Sequence, residues 1–533
     1  MGLYIGLDVG TTSTKAFIYD EKGMIRGGSQ SAYSLLVPEA GRAEQRPEEL
    51  MDAVVDAIKG AMKDSKASAD DIAAVGISTA MHSLMAVDST GKPLTPLMTW
   101  ADNRSIGQTN ELRKGREATE LYRATGTPIH PMSPLTKLLW LADREPELFK
   151  KAAKFISFKE HLLHQLFGKY AVDVSLASAT GLMDLHELKW NESALNLTGV
   201  SSDQLGDIVP VTERLDGMNR KFAEKLGLKP NTPWIVGASD GALANIGVGA
   251  LGVGETAVTI GTSGAVRSFA KQPATDASGR TFCYAFESDR WLIGGPTNNG
   301  GIALRWYLEK FVIDKEKGES GDLKEQKALE RIVKLADSVP PGSEGLLFLP
   351  YLSGERAPYW NADARGAYFG ATLHHGQEHF GRATMEGVLF AVRTVADALT
   401  DLSGANRTLL ASGGFAKSPI WTQMLADLSG TQVVVPDTYE ASAFGAAAVA
   451  MKAEGLIHDY TDLKDQIKIS RTHEPDSHKF KTYERYYSLF KRVYEQLEPV
   501  FPEIADLQRG TGVKREDESE AEGTKGSSHH DKK

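Results

Sequence analysis

Leu3-Tyr-Ile-Gly-Leu-Asp-Val-Gly-Thr-Thr-Ser-Thr-Lys15 decides how the rest of the chain is read. An apolar run ends on Asp8, the chain turns at Gly10, and four hydroxyl residues lead to Lys15. A second run, Ala16-Phe-Ile-Tyr-Asp20, leaves that turn, and Glu21-Lys-Gly23 makes the next. Two β-runs joined by a Gly-containing turn predict a hairpin. Its tip offers a carboxylate, hydroxyls, backbone N–H groups and a cation, an inventory suited to a phosphate and its metal. Gly-Thr-Thr-Ser is equally the composition of an ordinary exposed turn. The Walker loop is excluded, because no G-x-x-x-x-G-K-[ST] occurs and no helix follows directly.

A chain of 533 residues exceeds one ordinary core, so two or three domains are expected. Net charge is −10 and pI about 5.8, without the basic footprint of a nucleic-acid binder. The single Cys283 excludes an internal disulfide framework and fits a reducing cytosol. No basic-then-apolar leader opens the chain, which predicts a cytoplasmic protein. The least polar window, Gly241 to Gly254, falls short of the about 20 apolar residues that span a bilayer, so no membrane partner is expected.

Outward from the hairpin, Glu48 to Lys63 carries apolar residues at Leu50, Val54, Ile58 and Met62, a helical stripe. Ala73 to Ile77 reads as a strand ending at Ser78-Thr-Ala-Met-His82, and Leu84 to Asp88 with the turn to Pro93 reads as another hairpin. Met98-Thr-Trp-Ala-Asp-Asn-Arg104 is a strand end bearing an aromatic, an acid and a base. Gly126-Thr-Pro-Ile-His-Pro-Met132 is a loop, since its prolines forbid helix. A helix starts at Pro134. Trp234 to Asp240 repeats the opening grammar, an apolar strand ending on an acid. Thr256-Ala-Val-Thr-Ile-Gly-Thr-Ser-Gly-Ala-Val266 is then a second strand, Gly-Thr-Ser turn and strand. This long-range echo predicts two related domains, 1–250 and 251–500. Glu440 to Ala450 is a small-residue helix built to pack closely. The polar end of the chain, 501–533, lacks the apolar surface to order itself and is expected to be disordered.

Two motifs are set aside. Gly247-Val-Gly-Ala-Leu-Gly252 matches G-x-G-x-x-G, but a helix precedes it and a strand follows, the reverse of the dinucleotide-binding order. His375-Gly-Gln-Glu-His379 matches a zinc-peptidase pattern without an evident third ligand, at what reads as a helix start on the surface.

With these residues in place, the sequence resembles the FGGY carbohydrate kinases over about residues 3 to 500. Met132-Ser-Pro-Leu-Thr-Lys-Leu-Leu-Trp-Leu-Ala-Asp143 follows one family signature, with Arg144 departing from it. Gly366-Ala-Tyr-Phe-Gly370 and His379-Phe-Gly-Arg-Ala-Thr-Met-Glu386 follow the other, with Ala371 departing. Within the family it is most similar to the gluconate kinases, on Ser78 to Ser83, Thr99 to Ser105, Gly126 to Met132, Gly237 to Gly241, Phe282 to Tyr284, Gly294 to Gly301 and Gly354 to Pro358. Xylulose kinases share a Met-His at Met81-His82 and are the nearest alternative, with other pentulose or polyol kinases behind them.

The resemblance implies an α/β fold of two ribonuclease-H-like domains, as in actin, sugar kinases and heat-shock ATPases, with a cleft between them that closes over substrate. It implies ATP, Mg²⁺ and a sugar acid such as gluconate as ligands, and is compatible with a homodimer. Phosphoryl transfer needs neutralised charge, an in-line hydroxyl and a proton acceptor. Asp240 is expected as that base and, with Asp8, as the holder of Mg²⁺ through water. Thr11, Thr12, Ser13, Gly261 and Thr262 would cradle phosphate oxygens, and Lys15 would offset transition-state charge. Gly301, Gly413 and Gly414 would let the nucleotide approach the backbone, with Ser418 beside it. Met81, His82, Trp100, Asp102, Arg104 and His130 would hold the sugar acid, with Arg104 bidentate on its carboxylate. A non-metabolic actin-like ATPase is the alternative from another class; it would lack both signatures. A catalytically dead sensor is disfavoured by the intact Asp8, Asp240 and Thr262.

Overall fold

β1 (Leu3–Val9) and β2 (Ser13–Tyr19) form the expected antiparallel hairpin, with Asp8 opposite Lys15 in register. The computed structural model describes residues 2–312, 321–404, 406–437 and 440–509. Around the hairpin a six-stranded sheet adds β3 (Ile25–Ala32), β4 (Ile72–Thr79), β5 (Arg214–Leu215) and β6 (Trp234–Ser239), in the order β5-β6-β4-β1-β2-β3. β1 runs antiparallel to β2 but parallel to β4, and β4 parallel to β6. The helical stripe becomes α1 (Pro47–Ser65), started by a proline in its first turn and burying Leu50, Val54 and Ile58 under this sheet. The first signature becomes α2 (Pro134–Arg144), and α3 (Asp240–Gly247) follows β6 directly.

The second sheet repeats the grammar. β7 (Glu255–Ile260) and β8 (Gly264–Ala270) are an antiparallel hairpin; β9 (Phe282–Glu287) and β10 (Arg290–Thr297) extend it on one side. On the other side β11 (Thr408–Ser412) lies parallel to β7 and β12 (Gln432–Pro436) parallel to β11, with β13 (Ile469–His473) at the edge. The two Gly-Thr turns close alike: the Gly10 N–H donates to Ser13 O at 3.0 Å, and the Gly261 N–H to Ser263 O at 2.9 Å. α4 (Gly301–Tyr307), α5 (Gln377–Ser403) and α6 (Pro419–Ser429) cover the second sheet, and α7 (Ala441–Ala453) follows β12 as α3 follows β6.

The small-residue helix α7 explains why the halves meet so closely. It crosses α3 and lies on β1 and β4, elements of the first sheet. Gly6, Gly76 and Gly247 face the carbonyl oxygens of Ala443, Ala446 and Ala441, and Gly445 faces that of Leu243, each so near that a Cβ would be driven into the oxygen. Ala443, Ala446, Ala447, Ala448 and Ala450 have no exposed surface. Backbone-to-backbone packing of this kind is open only to glycine and alanine.

Two expectations hold and one changes. The turn after Leu84 closes, with the Asp88 N–H on Lys92 O at 3.0 Å and Val87 antiparallel to Pro93, and Met85–Val87 pairs in addition with Lys154–Ile156. The G-x-G-x-x-G run does lie between α3 and β7. Residues 501–509 are helical, with Phe501 and Ala505 buried one turn apart and Arg509 paired to Asp363 at 2.9 Å, so order continues past 500; the rest of the expected tail, 510–533, lies outside the described residues. No helix among the described residues is long and apolar enough to cross a membrane.

Gly6→Ala should cost about 1–3 kcal/mol or more in urea unfolding, because backbone and not a movable side chain blocks the new methyl. Gly107→Ala, in a helix with nothing within 4 Å of its Cβ, should be neutral or slightly stabilising in the same measurement.

Candidate active site

The ends of the two hairpins and the N-terminus of α3 enclose a cavity of about 360 Å³. Thr11, Met81, His82, Trp100, Met132 and Asp240 line it from the first half; Thr259, Ser263, Ala265, Arg267, Tyr284 and Arg356 line it from the second. Met81, His82, Trp100 and Asp240 follow strand ends, Arg267 and Tyr284 point in from within β8 and β9, and Met132 and Arg356 come from loops. Asp240 stands where β6 passes into α3, and its Oδ1 accepts the Gly241 N–H at 2.7 Å, with the Met81 N–H also directed at the carboxylate. Burial raises the Asp240 pKa; Arg267, the two N–H groups and Lys159 oppose the rise. The fully buried Lys159, salt-bridged to Asp173 at 2.6 Å, also donates to Ala238 O at 3.1 Å and so fixes the strand end beneath Asp240.

Asp8 ends β1 and accepts from Ser78 Oγ at 2.6 Å. Burial lifts its pKa to about 7, with Asp240 and Glu440 pushing the same way and Ser78 and Lys15 opposing. Two crowded acids, near the C-terminal ends of β1 and β6 on either side of β4, fit a divalent cation, which relieves both the burial and the repulsion.

His82 is the best-defined polar group on the wall that the first half gives the cavity. Its Nδ1–H donates to Ala179 O at 2.8 Å, which leaves the Nε2 lone pair as acceptor. Burial, with the Lys137 charge nearby, holds its pKa at about 3, so the ring is neutral. Its backbone sits at φ 65°, a left-handed geometry that a non-glycine residue keeps only under constraint. Part of that constraint is Lys137 of α2, fully buried, whose ammonium donates to the carbonyls of His82 (2.7 Å), Thr99 (2.7 Å) and Met132 (2.8 Å). One cation thus ties together the three segments that carry Met81-His82, Trp100 and the 126–132 loop. Trp100 in turn donates from Nε1 to Thr11 Oγ1 at 2.9 Å, joining this wall to the turn at Gly10.

Several expected site residues are elsewhere or otherwise employed. Asp102 and Arg104 do not line the cavity: both are buried in an ion pair at 2.7 Å, shared with Glu44 and stacked at 5.1 Å on Trp140. Lys15 is held by Glu440, with Nζ 2.8 Å from Oε2. His130 sits behind the wall, its Nδ1 accepting the Met132 N–H at 3.1 Å and its ring packed edge-on against Trp360. Ser418 caps α6 through the Trp421 N–H at 3.2 Å. Gly301 is glycine because a Cβ there would meet Gly261 O at 2.8 Å, and Gly413 because its φ is 90° and Ile260 O lies beside it. Gly414 and Gly261 do face open space, and Thr12 and Thr262 stand exposed at the turn tips. Ser13 is buried at the start of β2.

Four residues escaped sequence reasoning. Arg267 shares the cavity face of β8 with Ala265, two positions earlier, so strand alternation past the Gly-Thr-Ser turn could have found it. Its Nη2 donates to Thr259 Oγ1 at 3.1 Å, and its buried Nε has no hydrogen-bond partner among the described residues. Arg356 sits in the quoted Gly354-Glu-Arg-Ala-Pro358 and packs 5.0 Å over Trp100, its Nε on Asn298 Oδ1 at 2.7 Å. Glu440 and Lys137 gave no signal beyond their motifs.

Comparison with known proteins adds to this geometry. Residues 3–247 match the N-terminal domain of the FGGY family of carbohydrate kinases, and 256–454 its C-terminal domain. The chain is 43% identical over 507 residues to a gluconokinase of Bacillus subtilis, covering 95% of this chain and 98% of that one. A crystal structure of gluconate kinase from Lactobacillus acidophilus superposes with TM-score 0.89 at 33% identity, covering 94% and 99% of the two chains. A ligand-bound xylulose kinase from Lactobacillus acidophilus gives TM-score 0.89 and 33% identity, covering 95% and 100%.

The Asp8 carboxyl keeps its proton to about pH 7 when folded, but only to about pH 4 when unfolded. Its contribution to stability is therefore complete below pH 4 and lost as pH rises to 7. Thermal unfolding without ligands should show Asp8→Asn melting above the wild type at pH 8, with the gap narrowing toward pH 5. A gap independent of pH would contradict the raised pKa.

Proposed function

The chain belongs to the FGGY family of carbohydrate kinases, and on that premise we propose that it transfers the γ-phosphoryl group of ATP to the terminal hydroxyl of D-gluconate, giving 6-phospho-D-gluconate. Membership makes it a phosphotransferase and removes the non-metabolic ATPase from contention. One observation carries the choice of a sugar acid. The cavity holds both a carboxylate at a strand end, Asp240, and a buried guanidinium with an unpartnered donor, Arg267. A planar guanidinium with free N–H groups takes a carboxylate bidentately, the role first expected of Arg104. Arg356, bonded to Asn298 and Thr297, braces Trp100 instead.

In this mechanism Asp240 accepts the proton of the attacking hydroxyl. Burial has already moved its pKa toward the range where a carboxylate works as a base. The His82 Nε2 accepts from a hydroxyl of the sugar chain, while Met81 and Trp100 supply its apolar wall. The N–H groups and hydroxyls of Thr11, Thr12, Ser13, Gly261 and Thr262 take the phosphate oxygens, and Lys15 adds positive potential beside the first turn. Gly414, with open space at its Cα, is the place where a nucleotide can lie against backbone. When bound, Mg²⁺ neutralises charge on the phosphates; Asp8 and Asp240 are the residues that would hold it. Closure of the two halves would exclude water from the transfer. A reducing cytoplasm suits the single Cys283, which is buried. A xylulose kinase is the second reading, because the solved xylulose kinase is as close in fold as the gluconate kinase.

Asp240→Asn should keep nucleotide affinity, measured by calorimetry, and lose phosphorylation by about three orders of magnitude or more in a coupled ADP-release assay. Near-normal turnover would remove Asp240 as base. Arg267→Met should raise KM for gluconate at least about tenfold while leaving KM for ATP within about twofold. If wild-type protein prefers xylulose, or if Arg267→Met treats both sugars alike, the sugar-acid assignment fails.

A further inference from the structure

The zinc-peptidase pattern set aside in the sequence does not assemble, but its His379 meets His374, the residue before the motif, and a distant glutamate. Glu344, His374 and His379 each offer one ligand atom, and these atoms lie within 4.8 Å of one another. The Glu344 Oε2 is 2.6 Å from His374 Nε2 and 3.2 Å from His379 Nε2, so two imidazoles from one segment converge on a carboxylate brought from 30 residues away. Among the described residues no other group of three histidine, cysteine or acidic side chains converges in this way.

Two features show that the carboxylate is placed there by the surrounding structure. Gly342, Ser343, Glu344 and Gly345 all have positive φ, at 83°, 49°, 52° and 97°. For Ser343 and Glu344 such a backbone is strained and persists only when its surroundings impose it. Buried Glu386 of α5 imposes it, accepting the Gly342 N–H and the Ser343 hydroxyl at 3.0 Å each, and is itself locked by Arg382 at 2.7 Å. The strain therefore aims Glu344 at the histidines from a rigid support. The second feature concerns His379, whose Nδ1 lies 3.3 Å from Glu378 Oε1. A cation on Nε2 needs the ring proton on Nδ1, and a carboxylate there is the usual acceptor for it. The Gly376 N–H, now donating to the same nitrogen at 3.1 Å, would give up that bond. His375 is turned aside, its Nδ1 accepting the Thr372 N–H at 2.9 Å.

We propose that Glu344, His374 and His379 form a binding site for one divalent transition-metal ion of the Zn²⁺ class, separate from the ATP and sugar cleft. Imidazole and carboxylate together select Zn²⁺ and its neighbours over Mg²⁺, which prefers oxygen ligands and keeps its water. With His374 and Glu344 exposed, the ion is reached from solvent and keeps a position for water. The ion would tie the strained 342–345 turn, the 372–375 turn and the start of α5 into one unit. α5 is in turn bonded to α4 through the Tyr307 hydroxyl, which donates to Gln377 O at 2.8 Å.

The test is Zn²⁺ titration of the full chain in chelator-treated buffer without nucleotide, by calorimetry and thermal unfolding, against His374→Ala and Glu344→Gln. Both residues are at the surface, so their variants should fold; a melting rise with Mg²⁺ and ATP equal to that of the wild type verifies this. The expected result is one Zn²⁺ bound with Kd below about 10 µM and a melting rise of about 3 °C or more, both lost in each variant. His529 and His530 remain in all three proteins, so the difference reports this cluster. Zn²⁺ binding and a melting rise unchanged in both variants, or no wild-type binding up to about 100 µM, would overturn the site.

Discussion

The whole cleft depends on how closely α3 and α7 can cross. Four glycines, Gly6, Gly76, Gly247 and Gly445, each lie against a carbonyl of the opposite element, leaving no room for a methyl group. That contact seats a helix from the second half on the first sheet. It also brings two helix N-termini together: Asp240 opens α3, Ser442 near the start of α7 donates to Asp240 O at 3.2 Å, and Glu440 just before α7 reaches Lys15. Helices of larger residues would hold the hairpin turns farther apart, and no single phosphate chain could touch both.

Packing this tight has an electrostatic consequence. Asp8, Asp240 and Glu440 share one region with Lys15, and Arg267 and Lys159 oppose the charge on Asp240. Burial disfavours the ionised forms of Asp8 and Asp240, so the ligand-free protein carries an electrostatic cost there. In the proposed function, a metal and the oxygens of a nucleotide would complete the balance. Stability is given up at the place where ligands restore it, the usual location of such conflicts in a protein.

The wall built by His82, Trp100 and Met132 follows a different logic, one of bracing. Lys137 knits three loops by their carbonyls, and the group of Arg104, Asp102, Glu44 and Trp140 forms a second buried support behind Trp100. Removing one partner of such a pair leaves an uncompensated buried charge, so these residues matter greatly to the wall without touching what it binds. A charged residue beside a functional motif is thus as readily scaffold as ligand. Arg104 and Arg267 differ in this respect only through what surrounds them.

The sequence by itself determined the local grammar. Apolar runs ending on Asp8 and Asp240, the Gly-Thr turns at 10–13 and 261–263, and the small residues of 441–450 each specify their conformation through neighbours a few positions away. Short-range sterics and strand or helix periodicity were therefore enough to give the hairpins, the doubled architecture and the strand-end acids. What only the tertiary structure decided was which side chains are already engaged. Lys15 with Glu440, Arg104 with Glu44, and Glu344 beside His374 and His379 are pairings set by chain segments that meet only after folding. Whether a cation or an imidazole is free to bind a ligand is a property of its partners, and partners up to 425 residues distant leave no trace in a local pattern.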